Sequence, residues 1–138
     1  MKTVRVVNRT RDAELARRAR VADTRWTRLR GLLGRPRLEP GEGLVIAPSR
    51  GVHTWAMGYP IDVVLVDADG RVAATYPELE PWSRTGFHGQ AARAVELPAG
   101  TIEATGTRAG DRVETARGRG AEEETAGREA RRRPEAHR

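Results

Sequence analysis

The sequence contains no cysteine, and this absence removes several kinds of chemistry at once. Disulfide bonds, thiolate zinc sites, iron–sulfur clusters and a cysteine nucleophile are all excluded. A chain of 138 residues is nevertheless long enough to bury one hydrophobic core of ordinary size. Apolar packing and hydrogen bonds can therefore stabilise a single domain without covalent or metal cross-links.

Long apolar runs are also missing from the sequence. No stretch approaches the roughly 18 apolar residues that a membrane-spanning helix requires. Near the N-terminus, Arg5 interrupts the short apolar run, which is not the pattern of a signal peptide. We therefore expect a cytoplasmic protein that does not associate with membranes.

Lysine is almost absent as well, because Lys2 is the only one and arginine supplies nearly all of the positive charge. The formal net charge is +6, from 25 basic and 19 acidic residues. Such arginine- and alanine-rich usage is typical of GC-rich genomes, so the charge by itself does not favour nucleic acid as a partner. A polyanion site would require these charges to be gathered on one face, which the sequence cannot show.

Short β-branched segments separated by turns predict a mainly β fold. We expect a compact antiparallel sheet or small barrel with one short helix near 24–33. Trp26, Leu29, Leu32 and Leu33 recur at helical spacing and indicate that helix. The predicted strands are 4–7, 15–21, 44–46, 52–57, 61–66, 72–76, 94–97, 101–105 and 111–115.

The composition changes near residue 116, and this change predicts the domain boundary. Residues 1–115 are expected to form a single β-rich domain. Residues 116–138 are dominated by Gly, Glu and Arg, which cannot bury a core, so we expect a disordered tail. Within the domain, residues 77–90 have no clear period and are expected to form a long loop.

The order of several short motifs resembles a known protein family. His53-Thr54-Trp55-Ala56-Met57, Pro60-Ile61-Asp62 and Leu97-Pro98-Ala99-Gly100 follow one another in this sequence. This series is similar to domain-of-unknown-function family 192, a bacterial and archaeal family, over roughly residues 10–115. The resemblance implies a mainly β, barrel-like fold with one helix. The family has no agreed activity, so the resemblance implies none for this chain.

Four polar or soft side chains lie in the motifs just described. His53, Thr54 and Met57 fall within the predicted strand 52–57, where His53 and Met57 would share one face. Asp62 follows across a turn and could lie next to them. A histidine near a carboxylate can act as a general base or as a metal ligand, and a methionine beside it would suit copper.

Each of these residues also has a structural interpretation. His53 can be a hydrogen-bonded hairpin residue, and Met57 can fill the core. Asp62 lies inside an apolar strand, where a buried carboxylate needs partners. It could accept hydrogen bonds from the amides of the 58–59 turn or from Thr54. We favour the structural role for each.

The predicted loop 77–90 carries Trp82, Phe87 and His88. Exposed aromatic rings on a loop can stack on a sugar or a base. They can also close the end of a barrel. The sequence leaves both interpretations open, and we favour the closing of the barrel end.

Three classes of function remain. We favour a noncatalytic small-ligand-binding or accessory module that uses the groove of the hairpin and the 77–90 loop. An enzyme centred on His53 and Asp62, with or without a metal ion, is the first alternative. A basic nucleic-acid or polyanion binder using the arginines of the helix and the tail is the second. The residues predicted to bind ligand are His53, Thr54, Met57, Asp62, Trp82 and His88.

The sequence predicts no cofactor and no metal site, with His53 as the one weak metal-ligand candidate. The expected partner is a small or polymeric ligand rather than nucleic acid. The apolar content is adequate for a monomer core, so a monomer or a weak dimer is expected.

Overall fold

The computed structural model describes residues 2–23, 37–55 and 57–117. These residues form seven strands and one short helix. The predicted helix at 24–33 lies outside the described residues, as does the predicted tail from residue 118 onward. The elements are β1 (Thr3–Asn8), β2 (Ala13–Ala22), β3 (Glu42–Ile46), β4 (Ile61–Asp67), β5 (Val72–Leu79), β6 (Ala91–Pro98), α1 (Thr101–Thr105) and β7 (Val113–Arg117).

One sheet contains all seven strands, in the order β5-β4-β6-β3-β2-β1-β7. Neighbouring strands are antiparallel, except that β3 runs parallel to β2. The sheet curls into a half-barrel. At one end its edge strands meet, because the Val72 N–H donates to the Asp111 carbonyl (2.8 Å) and the Val113 N–H to the Gly70 carbonyl (2.7 Å). The predicted mainly β, barrel-like fold is confirmed.

Both faces of the sheet are buried, each under its own apolar cluster. Alternation along β4 shows this, because Val64 and Val66 belong to one cluster while Val63 and Leu65 belong to the other. The first cluster includes Val6, Leu15, Ala19, Val45, Val64, Val95, Leu97, Ile102 and Val113. The second includes Leu44, Ile46, Met57, Tyr59, Ile61, Val63, Leu65 and Ala94.

Residues 101–105 form α1, so the strand predicted there is wrong. Gly100 turns the chain with a φ of 97°. The Asp62 carboxylate then accepts the N–H of Ile102 at 2.7 Å, which satisfies one free amide of the first turn. This long-range bond outweighs the strand preference of the β-branched residues in the segment. No helix of the described residues is long and apolar enough to cross a bilayer.

The strand predicted at 52–57 is also wrong for the described residues of that segment. The segment pairs as β structure at a single point, where His53 lies opposite Arg84. The Thr54 carbonyl accepts the N–H of Met57 at 3.1 Å, so the chain turns where a strand would continue. The expected alternation that placed His53 and Met57 on one face is therefore absent.

The long loop predicted at 77–90 begins later than expected. Strand β5 continues to Leu79, so the irregular segment spans 80–90. Within β5, Glu78 has a φ of 50°, a left-handed conformation that a non-glycine residue adopts only when other contacts hold it. One such contact is the hydrogen bond from the Glu78 N–H to Asp62, at 2.8 Å.

Candidate functional site: an arginine-aromatic groove

Two loops, the first loop (47–60) and the second loop (80–90), are fixed to each other. The Thr85 N–H donates to the Val52 carbonyl at 2.9 Å. In return, the Thr85 hydroxyl accepts the Val52 N–H at 3.0 Å. The two loops therefore form one unit, although neither is a regular strand.

Thr54 is the central contact between these loops and is fully buried. Its hydroxyl donates to the Glu80 carbonyl (2.6 Å) and accepts the Ser83 N–H (2.9 Å). Its own N–H donates to the Ser83 carbonyl at 2.8 Å, and its carbonyl accepts the Trp82 N–H at 3.0 Å. All the polar groups of Thr54 are engaged in this way, so its role is structural.

An open groove of about 660 Å³ lies between the two loops. Five side chains give it its chemistry, and we call it the arginine-aromatic groove: Arg50, His53, Trp55, Arg84 and Phe87. Trp55 is 55% exposed and Phe87 is 78% exposed. The lining contains two guanidinium groups and no carboxylate. Such a surface offers positive charge beside apolar rings.

The side chains of the groove contact one another in pairs. The ring centres of His53 and Trp55 lie 5.1 Å apart, and the ring planes make an angle of 39°. The His53 Nδ1 also accepts the backbone N–H of Trp55 at 3.3 Å. The Arg50 guanidinium lies 6.0 Å from the centre of the Phe87 ring, a cation–π arrangement. The described residues contain no group of three or more His, Cys, Asp or Glu that could hold a metal ion. The groove therefore contains one pair of rings and one cation–ring pair.

His88 supports the groove from outside its lining. Its Nε2 lies 2.7 Å from the Tyr76 Oη of β5. The same Oη accepts the Gly86 N–H at 2.9 Å, and the His88 N–H donates to the Arg50 carbonyl at 2.9 Å. His88 thus connects β5 to both loops.

Asp62 is fully buried and lies on the side of the first cluster, away from the groove lining. One carboxylate oxygen accepts the Glu78 N–H (2.8 Å) and the Gly100 N–H (3.2 Å). The other accepts the Ile102 N–H at 2.7 Å. Three backbone amides thus take the place of the partners that the sequence predicted. These bonds join β4, β5 and α1, which is a structural role.

Met57 and Trp82 lie in different surroundings. Met57 is 9% exposed and packs in the second cluster. Trp82 is 70% exposed with a φ of 60°, and it is not part of the groove lining. Among the six residues predicted to bind ligand, the structure therefore places His53 alone in the groove.

Arg50, Trp55, Arg84 and Phe87 were not among the residues predicted to bind ligand. The signal that could have identified them is an arginine within a few residues of an aromatic in each loop. That signal is weak by itself, because the pairing of the two loops is what brings the residues together.

Glu96 is a second feature that the sequence analysis missed. It lies on β6 opposite Leu44 and Val63, within the second cluster, and is 3% exposed. Its Oε2 has no hydrogen-bond partner in the described part of the chain. Burial raises the pKa of Glu96 to about 8. Burial also raises the pKa of Tyr59, with a smaller contribution from the charge of Glu96.

Asp111 is buried like Glu96 but is fully partnered. It accepts a two-point contact from Arg11 (3.0 and 3.2 Å), the Asn8 amide (3.0 Å) and the Arg108 N–H (3.1 Å). The Asn8 amide also donates to the Thr107 hydroxyl at 3.0 Å. Burial opposes ionisation, but these hydrogen bonds and the charge of Arg11 outweigh it and hold the pKa of Asp111 at about 2.

Two solved structures share this fold. The first is a protein of unknown function from Novosphingobium aromaticivorans, with 23% identity and a TM-score of 0.69 over 81% of this chain and 83% of that one. The second, from Sinorhizobium meliloti, is described as a candidate transcription regulator. It has 24% identity and a TM-score of 0.67 over 83% of this chain and 92% of that one. At this identity the similarity shows the fold alone.

A family model also matches the sequence. Its description reads "Uncharacterized ACR, COG1430", and the match spans residues 6–115. No curated protein matched the chain. The family match covers all seven strands in whole or in part.

Proposed function

We propose that this chain, which belongs to domain-of-unknown-function family 192, is a noncatalytic binding module. Its arginine-aromatic groove binds an anionic ligand that carries a flat ring. The observation that carries this proposal is the groove itself. Two guanidinium groups and two exposed aromatic rings line one open cavity of about 660 Å³. Large exposed apolar groups on a soluble domain often mark a surface that a partner covers.

The charges of the groove define what the ligand must carry. Arg50 and Arg84 present planar forks of N–H donors, which match the oxygens of a phosphate or carboxylate. Because the lining contains no carboxylate, no acidic side chain of the groove competes with the ligand for these donors. An anionic group is therefore the expected partner of the two arginines.

The rings define the second half of the ligand. Trp55 packs against His53 on one side and remains more than half exposed. Phe87 is contacted by Arg50 and is still 78% exposed. An aromatic face of this kind gains most from a flat partner that stacks on it. The ligand is therefore expected to combine a ring with a negative charge.

The contacts of His53 and Asp62 support binding over catalysis. Asp62 uses both carboxylate oxygens on backbone N–H groups. The Nδ1 of His53 already accepts the Trp55 N–H. No hydrogen bond joins the two residues in the described chain, so the acid–base pair that an enzyme would need is not assembled there. The cytoplasmic location and the monomeric or weakly dimeric state stay predictions.

Three small probes separate the two halves of this proposal. Phenyl phosphate carries a ring and an anion, inorganic phosphate carries the anion alone, and benzyl alcohol carries the ring alone. In NMR titrations we expect phenyl phosphate to produce saturable shifts of the Trp55 indole N–H and of the Arg50 and Arg84 side-chain N–H signals. Each of the other two probes should bind several-fold more weakly.

A matched pair of variants makes the titration specific. Arg84→Ala removes a groove cation, whereas Arg18→Ala removes an exposed arginine on β2 that lies outside the groove lining. Only the first should weaken phenyl phosphate binding. Equal effects of both variants, or phenyl phosphate shifts scattered over the surface, would contradict the proposal.

A further inference from the structure

The arginine-aromatic groove does not end at Arg50. A second open cavity, of about 640 Å³, begins at the same residue and is lined by Pro48, Ser49, Gly89 and Gln90 among others. Arg50 lines both cavities. The two cavities therefore adjoin at Arg50, and the exposed rings Trp55 and Phe87 line the first of them.

We infer that this surface binds single-stranded nucleic acid, an inference that rests on the groove function proposed above. Each unit of a single strand combines the two features that the groove demands, because it carries a flat base and a phosphate. Its backbone would contact Arg50 and Arg84, and a base would stack on Trp55 or Phe87. A strand also fits an open surface that continues past the first cavity better than a ligand of one unit does.

The distribution of charge supports this choice. Net charge alone did not favour nucleic acid, because a polyanion site requires cations gathered on one face. The structure gathers Arg50 and Arg84 around one groove without a carboxylate in the lining. These arginines lie in loops rather than in the predicted helix or tail.

The rings favour a single strand over other polyanions. Base stacking on an aromatic side chain requires unpaired bases, so a duplex cannot use Trp55 and Phe87 in this way. An acidic polypeptide offers carboxylates but no base to stack. Polyglutamate and heparin are therefore useful comparisons, since each carries the charge without the base.

The experiment is fluorescence anisotropy of the full-length protein with a labelled dT12 strand at low salt. We expect saturable binding that is at least tenfold tighter than binding of a 12-base-pair duplex under the same conditions. Unlabelled polyglutamate and heparin should compete weakly. Binding should weaken as salt rises, because arginines that contact phosphates release counterions.

Three variants identify the contacts. Removing both groove arginines (Arg50→Ala with Arg84→Ala) should reduce affinity at least tenfold and lower the magnitude of the salt slope by about 1.4, or about 0.7 for each phosphate contact. Trp55→Ala should reduce affinity about tenfold with the slope unchanged, because it removes stacking rather than charge. The control Arg18→Ala should change affinity less than twofold. Arginines outside the groove are the same in the wild type and in the two groove variants, so any binding that they contribute is the same in those three proteins.

The outcomes distinguish this inference from the proposed function. If dT12 binds no tighter than the duplex, while phenyl phosphate still shifts the groove signals, the nucleic-acid inference is wrong and the groove function stands. If neither dT12 nor phenyl phosphate binds, both are wrong. Tight heparin binding that is insensitive to Trp55→Ala would assign the groove to acidic polysaccharides and overturn the inference.

Discussion

The two sides of the sheet differ in how they accommodate buried carboxylates. Around the first cluster, Asp62 and Asp111 are buried, and every carboxylate oxygen accepts at least one hydrogen bond. On the side of the second cluster, Glu96 is equally buried but its Oε2 has no partner in the described chain. The arginine-aromatic groove lies on that second side, since Val52 of its lining packs against the second cluster.

This difference separates groups that stabilise the fold from groups that the proposed function uses. A partnered buried carboxylate joins elements together, as Asp62 joins three. Exposed cations contribute little to folding because water already solvates them. Exposed rings contribute little because they remove little apolar surface from water. The buried carboxylate without a partner for its Oε2 and the arginine-aromatic groove therefore lie on the same side of the sheet.

The largest effect is expected for Glu96→Gln at high pH. The unfolded chain loses this proton near a pKa of 4.5, whereas the folded protein keeps it until about pH 8. Between these values the folded state binds the extra proton, so its free energy of unfolding falls as pH rises, by up to about 1.4 kcal/mol per pH unit. At pH 9 the variant should be more stable than the wild type, by an amount on the order of 5 kcal/mol.

Urea denaturation at pH 5, 7 and 9 measures this prediction. The two proteins should be similar in stability at pH 5 and diverge as pH rises. If the free energy of unfolding depends on pH in the same way in both proteins, Glu96 is partnered or hydrated in solution. The contrast between the two sides of the sheet would then disappear.

The next largest effect is expected for Asp62→Ala. This change removes the acceptor from one buried and two partly buried N–H groups. At about 1–3 kcal/mol for a buried group and less for the others, the free energy of unfolding should fall by about 4 kcal/mol. Asp62→Asn should lose less, because the amide oxygen still accepts the Glu78 and Gly100 N–H groups. Thermal denaturation of both variants tests the order, and a loss below about 1 kcal/mol for Asp62→Ala would refute the structural role.

Asp111→Asn should lower the free energy of unfolding by a smaller amount. Its effect should depend on pH in the opposite direction to that of Glu96→Gln. The folded pKa of Asp111 is held at about 2, below its ordinary 3.8, so its contribution is complete above about pH 4 and is lost as pH falls toward 2. The variant should lose about 1.5–3 kcal/mol at pH 7, the contribution of hydrogen bonds to a charged group. Between pH 2 and 5, the free energy of unfolding should then change less with pH for the variant than for the wild type, as denaturation at several pH values would measure.

The smallest effect on stability is expected in the groove. His53→Ala and Arg84→Ala should each change the free energy of unfolding by less than about 0.5 kcal/mol, because both side chains are exposed. The same variants are expected to weaken ligand binding. A loss of stability above about 2 kcal/mol for either would mean that the groove residues serve the fold after all.

Most strands could be predicted from the sequence because local pattern determines them. The apolar run at 61–66 and the return at 72–76 appear as β4 and β5, joined by the predicted turn. The order of strands could not be predicted in the same way. The parallel pairing of β2 with β3 and the meeting of β5 with β7 depend on contacts between distant residues.

The two wrong strands have a common physical cause. At 101–105, a hydrogen bond from Ile102 to distant Asp62 starts a helix. At 52–57, the bonds of Thr54 to the second loop turn the chain. In both cases a tertiary hydrogen bond overrides a local preference for β structure, and local patterns do not contain that information.

The sequence identified less of the proposed groove than of the fold. Of the residues predicted to bind ligand, His53 lines the groove, and its role in binding stays a prediction. Arg50 and Arg84 lie 34 positions apart in the chain, so only the pairing of the two loops makes them neighbours. Glu96 could have been noticed, since an acidic residue within the apolar segment 94–97 is as unusual as Asp62 within 61–66.

The meeting of the two edge strands affects how copies of this molecule behave toward one another. An exposed strand edge can recruit the edge of another chain and so begin aggregation. Here the Val72 N–H at the start of β5 donates to the Asp111 carbonyl, and the Val113 N–H at the start of β7 donates to the Gly70 carbonyl. Beside that junction, Arg9 and Glu114 form an ion pair of 2.9 Å, which adds charge next to β7. Strand addition at this end of the two edges would have to disrupt both features, so the arrangement disfavours self-association there.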